Sequence, residues 1–304
     1  MKRPIVVAIC YDFDGTLSPG NMQEYGFFSS LGKEAQNFWQ ESERIARENQ
    51  ADPILCYMRH MIKKAKSSNI PTTRKALRNY GKDVGLFPGV DSWFERINAY
   101  GEKHGVKIEH YIVSSGLKEI VEGSRIGKKF KKIYACSFLY DNNDAADWPA
   151  IAVNYTTKTQ FIFRINKGIQ DDADNREINK YKPEDERRIP FSRMIYLGDG
   201  ATDVPCMKLV KDKGGISIAV FEEGKRKRQK AATDLLKENR VNFVLPANYS
   251  EGGRLEETIQ VLINRIVAEN EVLILCKKRG ITSCKCHTSP ECSSLLSRTD
   301  NPAL

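Results

Sequence analysis

Five apolar runs of strand length, spaced along the chain, limit what this sequence can fold into more than any other feature. They are IVVAICY (5–11), IEHYIVS (108–114), MIYLGD (194–199), ISIAV (216–220) and VNFVL (241–245), and four of them are dense in Ile and Val. That is the composition of strands buried on both faces. Helical periodicity fills most of the intervals. GVDSWFERINAYGEKHG (89–105) puts Val90, Trp93, Phe94 and Ile97 on one face and stops at a glycine. ATDVPCMKLVKDKG (201–214) and GRLEETIQVLINRIVAENEVL (253–273) read the same way. Strand and helix in alternation predict an α/β fold, a doubly wound parallel sheet with helices on both faces.

Two regions break the alternation. Residues 19–87 hold three helical patterns, at about 33–49, 54–68 and 73–84, with no strand-like run between them. Pro53 and Pro71 mark the starts of the second and third. LFPGV (86–90) returns the chain to alternation, so 19–87 reads as a helical insertion after the first strand. Residues 131–192 hold KKIYACSFLYDNND and IAVNY, expected as a hairpin, and the polar stretch QDDADNREINKYKPEDERR (170–188), expected as a surface excursion. Its aspartates lack the spacing of a calcium loop. The expected organisation is a core of 1–18 with 88–275, an inserted α-helical cap domain at 19–87, and a flexible polar tail at 276–304. Cys284, Cys286, His287 and Cys292 in that tail fit no strong zinc spacing.

A chain of 304 residues, 40% hydrophobic and 29% charged, is long enough for a sizeable core and reads as soluble and globular. The opening MKRPIVVAIC is too short in its apolar part, and runs too directly into Asp12, for a signal peptide. No apolar run approaches the ~20 residues of a membrane span. The eight scattered cysteines then read as mostly free thiols, and the expected location is cytoplasmic. The net charge of +9 favours anionic partners. Its densest run, KRKRQK (225–230), opens a helical pattern with Ala232, Leu235 and Leu236 apolar. Without interleaved aromatics it reads as a solvated helix start, and nucleic acid is not the expected partner.

The chemistry lies at the strand ends. In a doubly wound sheet, ligands bind beyond the carboxyl ends of the strands. Three such ends carry DFDGTLS (12–18), IVSSG (112–116) and YLGDGATDVP (196–205). Taken singly, Ser114, Ser115 or Asp199 reads as a helix N-cap. Asp12 does not: it ends a buried strand two residues from Asp14, and two carboxylates so close repel unless something compensates them. A divalent cation does so, and Mg²⁺ suits a few carboxylates with phosphate oxygens. Beside such an ion an aspartate can act as a nucleophile in aspartyl-phosphate chemistry. Phosphoryl transfer then needs donors around the transferring oxygens. Thr16 and Ser114 offer hydroxyls, and the Gly15, Ser115 and Gly116 N–H groups an anion nest.

DFDGTLS, IVSSG and GDGATD, in this order, resemble the motifs of the haloacid dehalogenase superfamily, in its phosphoserine-phosphatase-like branch with a helical cap after the first motif. The resemblance covers about residues 5–245 and implies a Rossmann-like core and a Mg²⁺-dependent phosphohydrolase acting on a small phosphorylated metabolite. Carried over, Asp12 is the nucleophile and Asp14 the general acid and base, its backbone carbonyl also binding the metal. Thr16 orients Asp14, Ser114 holds a phosphate oxygen, Asp199 binds Mg²⁺ and Asp203 supports it from behind. The family's lysine falls on Lys158, which opens a helical pattern, rather than on Lys167 near its end. Asp14 and Asp199 set the chain apart from the dehalogenase branch. A phosphomutase or phosphotransferase would use the same aspartyl phosphate; a non-catalytic phosphate-binding protein would need no second acid. Specificity is expected from the cap, where Glu24, Tyr25 and Arg59 are candidates to face the substrate.

Overall fold

The computed structural model describes residues 5–279. Seven strands form one sheet: β1 (Ile5–Tyr11), β2 (Val106–Leu117), β3 (Lys132–Tyr140), β4 (Ala146–Ile151), β5 (Met194–Gly198), β6 (Ile216–Phe221) and β7 (Phe243–Pro246). Their order is β4-β3-β2-β1-β5-β6-β7. Every neighbouring pair is parallel except β3 and β4, which form the antiparallel hairpin expected in 131–192. This is the Rossmann-like doubly wound sheet that the alternation predicts.

The first strand in sequence lies in the middle of the sheet. β1 pairs with β2 on one side and β5 on the other, and Tyr11 stands level with both Ile112 and Leu197. The chain thus passes from β1 to β2 on one side and crosses to β5 on the other only after β4, so a crevice opens at the carboxyl ends of these three strands. Val7 to Tyr11 are all buried, as covering on both faces requires.

Four α-helices fall within residues 19–87, after β1: α1 (Gly26–Leu31), α2 (Phe38–Glu48), α3 (Pro53–Ser67) and α4 (Arg74–Tyr80). α3 starts where Asp52 accepts the N–H groups of Ile54 and Leu55, with Pro53 at the first helical position. Thr73 caps α4 through the Ala76 N–H. The expected 33–49 helix is shorter: Asn37, at φ 63°, separates a 3₁₀ turn from α2. Helix α1 was not expected; it spans six residues and has no side-chain cap. Phe27, Phe38, Met58 and Met61 form the buried interior of this insertion.

The remaining helices flank the sheet: α5 (Val90–Lys103), α6 (Lys118–Gly123), α7 (Thr157–Lys167), α8 (Asn175–Asn179), α9 (Val204–Asp212), α10 (Arg226–Lys237) and α11 (Arg254–Lys278). β2 runs past the expected end at 114 to Leu117, with a register shift between Ser114 and Leu117 that pushes the serine–glycine segment out of the ladder. The polar stretch 170–188 is anchored to α7. Fully buried Arg164 donates to the carbonyls of Asp171 and Asp174, and Lys167 donates to those of Ile178 and Lys180.

Cys10, Cys56, Cys136 and Cys206 are buried free thiols. The group Cys284, Cys286, His287 and Cys292 lies outside the described residues. Among the described residues, no helix is long and apolar enough to cross a membrane.

Candidate active site

Asp12 stands one residue beyond β1, and its own N–H donates to the Leu197 carbonyl at 2.9 Å, tying it to β5. Its carboxylate is 5% exposed and accepts the Phe13 N–H. The Lys158 ammonium, wholly buried at the start of α7, lies 3.1 Å from Asp12 Oδ1, a charge contact without hydrogen-bond alignment. Asn154 Oδ1 accepts the N–H groups of Thr156 and Thr157, which fixes where α7 begins and hence where Lys158 points. Lys167, near the far end of α7, is engaged with the carbonyls already described.

Lys158 also donates to Asp203 Oδ1, which accepts the Tyr196 hydroxyl at 2.7 Å. Asp203 Oδ2 takes the N–H groups of Asp199 at 3.3 Å and Gly200 at 3.2 Å. Both oxygens of Asp203 are therefore committed: it holds the lysine and the turn that carries Asp199. Burial alone would push the Lys158 pKa down, but Asp12 and Asp203 outweigh it and hold it above the usual lysine value. Asp12 is pushed up to about 6 by burial first and Asp203 second, against the pull of Lys158. Asp14 is raised well above the carboxylate range by burial and then by Asp12. Asp199 is pushed up to about 8, chiefly by burial, then by Asp203 and Asp12.

Two glycines bring these carboxylates together. Gly15 adopts φ +76°, and a Cβ there would lie 2.1 Å from Asp199 Oδ2. At Gly116 a Cβ would lie 2.1 Å from Met22 Cε and 3.1 Å from Asp14 Oδ2. Only chains without side chains at these points let the three strand ends close on one another.

Other expectations need correction. Thr16 does not orient Asp14: its hydroxyl is buried without a hydrogen-bond partner, and the Met22 N–H holds Asp14 Oδ1 instead, at 2.9 Å. Nor does Thr16 line the cleft. The expected anion nest is partly spent, since Gly15 N–H donates to Ser18 O and Gly116 N–H to Ser114 Oγ. Ser115 lines the cleft, but its carbonyl accepts the Tyr57 hydroxyl at 2.7 Å. Neither Ser114 nor Ser115 caps a helix: both lie within β2, and the N-cap of α6 is Leu117, which offers no side-chain cap. Asp199 does not cap the turn after β5, whose N-cap is Gly200.

The motif residues floor a cleft of about 310 Å³. Its opposite wall comes from the β1–β2 insertion: Asn21, Gln23, Trp39, Ile54 and Tyr57. None of these was singled out in the sequence, because an aromatic on a helix face reads as core. Glu24, Tyr25 and Arg59 do not line the cleft. Glu24 accepts from Asn21 and the Trp39 indole, Tyr25 donates to the Pro19 carbonyl, and Arg59 is exposed. From the other side comes Arg228, whose Nη1 lies 3.7 Å from Asp199 Oδ2. The KRKRQK run thus sends one residue to the site, although nothing in the run distinguishes it from its neighbours.

Carboxylate oxygens of Asp12, Asp199 and Asp203 lie within 4.8 Å of one another. An all-oxygen, anionic set of this kind fits a hard divalent cation, which would relieve the burial and mutual repulsion that push the Asp12 and Asp199 carboxyls up. Asp203 joins this group only by proximity, since its oxygens are already bonded. The Asp14 carboxylate lies outside it, held towards Met22.

The family model for haloacid dehalogenase-like hydrolases matches residues 9–208. An uncharacterised protein of Borreliella burgdorferi is 29% identical over 280 residues, covering 84% of this chain and 95% of its own length. Among solved structures, a HAD family hydrolase of Salmonella enterica serovar Typhi superposes with a TM-score of 0.50 at 19% identity, over 75% of this chain and 66% of that one. A probable phosphoserine phosphatase from Vibrio cholerae superposes with a TM-score of 0.52 at 13% identity, over 88% of this chain and 67% of that one. This chain therefore spans about two thirds of those two structures, and at such identities the likeness is one of fold. With its family model matched across all three acidic and serine-bearing strand ends, the chain belongs to the haloacid dehalogenase-like hydrolases.

Proposed function

We propose that this chain is a Mg²⁺-dependent phosphomonoester hydrolase that acts on a small phosphorylated metabolite through an aspartyl phosphate on Asp12, with residues 19–87 serving as a cap over a core of 1–18 and 88–275. The observation that carries this reading is a buried carboxylate, Asp12, held 3.1 Å from a buried lysine at the floor of a cleft that a second carboxyl, Asp14, also lines.

In this mechanism an Asp12 oxygen attacks phosphorus, and the bond from phosphorus to the leaving oxygen breaks. Asp14, whose pKa is raised above the usual carboxylate value by burial and then by Asp12, protonates the leaving oxygen. The Asp14 carboxylate then takes a proton from water, which attacks the aspartyl phosphate, releasing inorganic phosphate and restoring Asp12. Lys158 keeps Asp12 ionised and sets positive charge beside the transferring group. Ser114, whose hydroxyl lies in the cleft floor, is the donor nearest the second strand end for a phosphoryl oxygen. Mg²⁺, held by Asp12 and Asp199, would neutralise the paired carboxylates and polarise the phosphoryl oxygens.

The test is to trap the intermediate from a ³²P-labelled phosphomonoester. Asp12→Asn should give no phosphoenzyme. Asp14→Asn should accumulate one that hydrolyses slowly, with turnover reduced by about 10²–10⁴. A phosphoenzyme on the Asp12→Asn variant would overturn the assignment.

A further inference from the structure

The cleft has a second half that the transfer chemistry does not use. On the cap side its wall carries no formal charge: Asn21, Gln23, Trp39, Ile54 and Tyr57. The Trp39 and Tyr57 rings meet edge to face, with centroids 5.6 Å apart, and the Trp39 indole is fixed by its hydrogen bond to Glu24. Gln23 is 2% exposed, yet its Oε1 is buried without a hydrogen-bond partner. An unpaired buried acceptor beside a cleft is a costly arrangement that a ligand donor relieves. On the core side, Arg228 is the cation lining the cleft. Lys158 does not line it and is enclosed between Asp12 and Asp203. The Arg228 side chain is 44% exposed, and its contact with Asp199, at 3.7 Å, is longer than a hydrogen bond. The planar guanidinium therefore reaches the cleft with donors to spare, in a form suited to a carboxylate or phosphate.

We infer that Arg228 is the specificity-determining residue for a second anionic group on the substrate, so that the preferred phosphomonoester has a planar or apolar leaving group bearing a carboxylate or a further phosphate. The leaving group packs against Trp39 and Tyr57, and its second anion meets Arg228. This deepens the proposed function and rests on it for the identity of the transferring group. It places the selective charge on the core, in α10, while the cap supplies shape and neutral polar contacts.

The experiment compares two ligands that differ by one carboxylate, phenylphosphonate and 4-carboxyphenylphosphonate, by titration calorimetry with saturating Mg²⁺. The wild-type protein should bind the carboxylated ligand at least ~10-fold more tightly, the scale of a charge-assisted bidentate contact. In Arg228→Gln, folded by circular dichroism, the ratio of the two Kd values should fall to near one, and Arg228→Lys should recover only part of it. A wild-type ratio near one, or a preference retained by Arg228→Gln, overturns the inference. Phosphate release from 4-carboxyphenyl phosphate is scored separately. A protein that shows the Arg228-dependent preference but releases no phosphate supports this inference and overturns the hydrolase reading.

Discussion

Replacing Lys158 with methionine removes one charge from a wholly buried cluster while keeping most of its volume. The ammonium lies 3.1 Å from Asp12, which at an effective dielectric constant of about 20 corresponds to an attraction of ~5 kcal/mol. Breaking a buried pair by deleting one partner typically costs about 3–5 kcal/mol. The loss falls on Asp12. Asp203 keeps the Tyr196 hydroxyl and two backbone N–H groups, whereas Asp12 keeps the Phe13 N–H. Burial already pushes Asp12 up to about 6, and without Lys158 it rises further. The sign follows. A carboxyl whose folded pKa exceeds its unfolded value holds more protons when folded, so its stabilising contribution is lost as pH rises through the folded pKa. In the wild type that loss runs from the ordinary carboxylate value up to about 6 and is complete above it; in the variant it continues above 6, at up to ~1.4 kcal/mol per pH unit. Urea unfolding in EDTA should therefore show a destabilisation that is larger at pH 8 than at pH 6, by up to ~1.4 kcal/mol for each pH unit. With saturating Mg²⁺, turnover should fall by about 10²–10³. Lys167→Met is the control. It lies nine residues further along α7, roughly 13 Å down the axis, and its ammonium serves two carbonyls of the polar excursion. A destabilisation below ~1 kcal/mol and equal at both pH values, or a larger loss of turnover in Lys167→Met, would refute the reasoning.

Other consequences follow from the same geometry. Chelation with EDTA should abolish phosphate release and Mg²⁺ should restore it, with a rise in Tm on adding Mg²⁺ because the clustered oxygens of Asp12 and Asp199 repel without it; full turnover in EDTA would contradict the metal assignment. Gly15→Ala forces a Cβ against Asp199 at a positive φ, and should cost ~1–3 kcal/mol while raising the Mg²⁺ concentration for half-maximal turnover by about tenfold or more. An unchanged Mg²⁺ requirement would show that Asp199 moves aside freely. His110, buried between the Tyr11 hydroxyl and Asn98, has its pKa pushed down to about 3 by burial. Its ring signals should not titrate between pH 8 and pH 5. The unfolded chain takes up a proton below ~6.5 that the folded chain refuses, so this group removes stability as pH falls from there towards 3. A His110 titration near 6.5 would place the ring in solvent.

The core was legible because its information is local. A strand buried on both faces must be a short run such as IVVAICY, and the residues at its carboxyl end must be the ones that meet a ligand. Two carboxylates at 12 and 14 with further acids at 199 and 203 therefore announced charge chemistry before any contact was known. The hairpin at 132–151 and the helices over 53–67 and 90–103 carried their periods and end signals in the chain itself. Helix α1 did not, having six residues and no cap.

What tertiary structure decided is which side chains meet across long separations. Lys158 and Asp203 are 45 residues apart, and their bond depends on where α7 begins and how it packs against α9 and β2. Nothing in DGTLS dictates that Met22, rather than Thr16, should hold Asp14; that depends on how the chain turns after Gly15. The same is true of the cleft wall. Trp39 and Tyr57 have the spacing of ordinary helix-core aromatics, and Arg228 is one cation in a run of five. A sequence period specifies which face of an element is apolar, but not what that face will stand against. The amino-acid sequence alone thus determined the sheet, the inserted helices and the acidic strand ends, because backbone pattern and burial are properties of short segments. The identity of the groups that compensate those acids, and of the arginine that shares their cleft, was settled only when distant segments packed together.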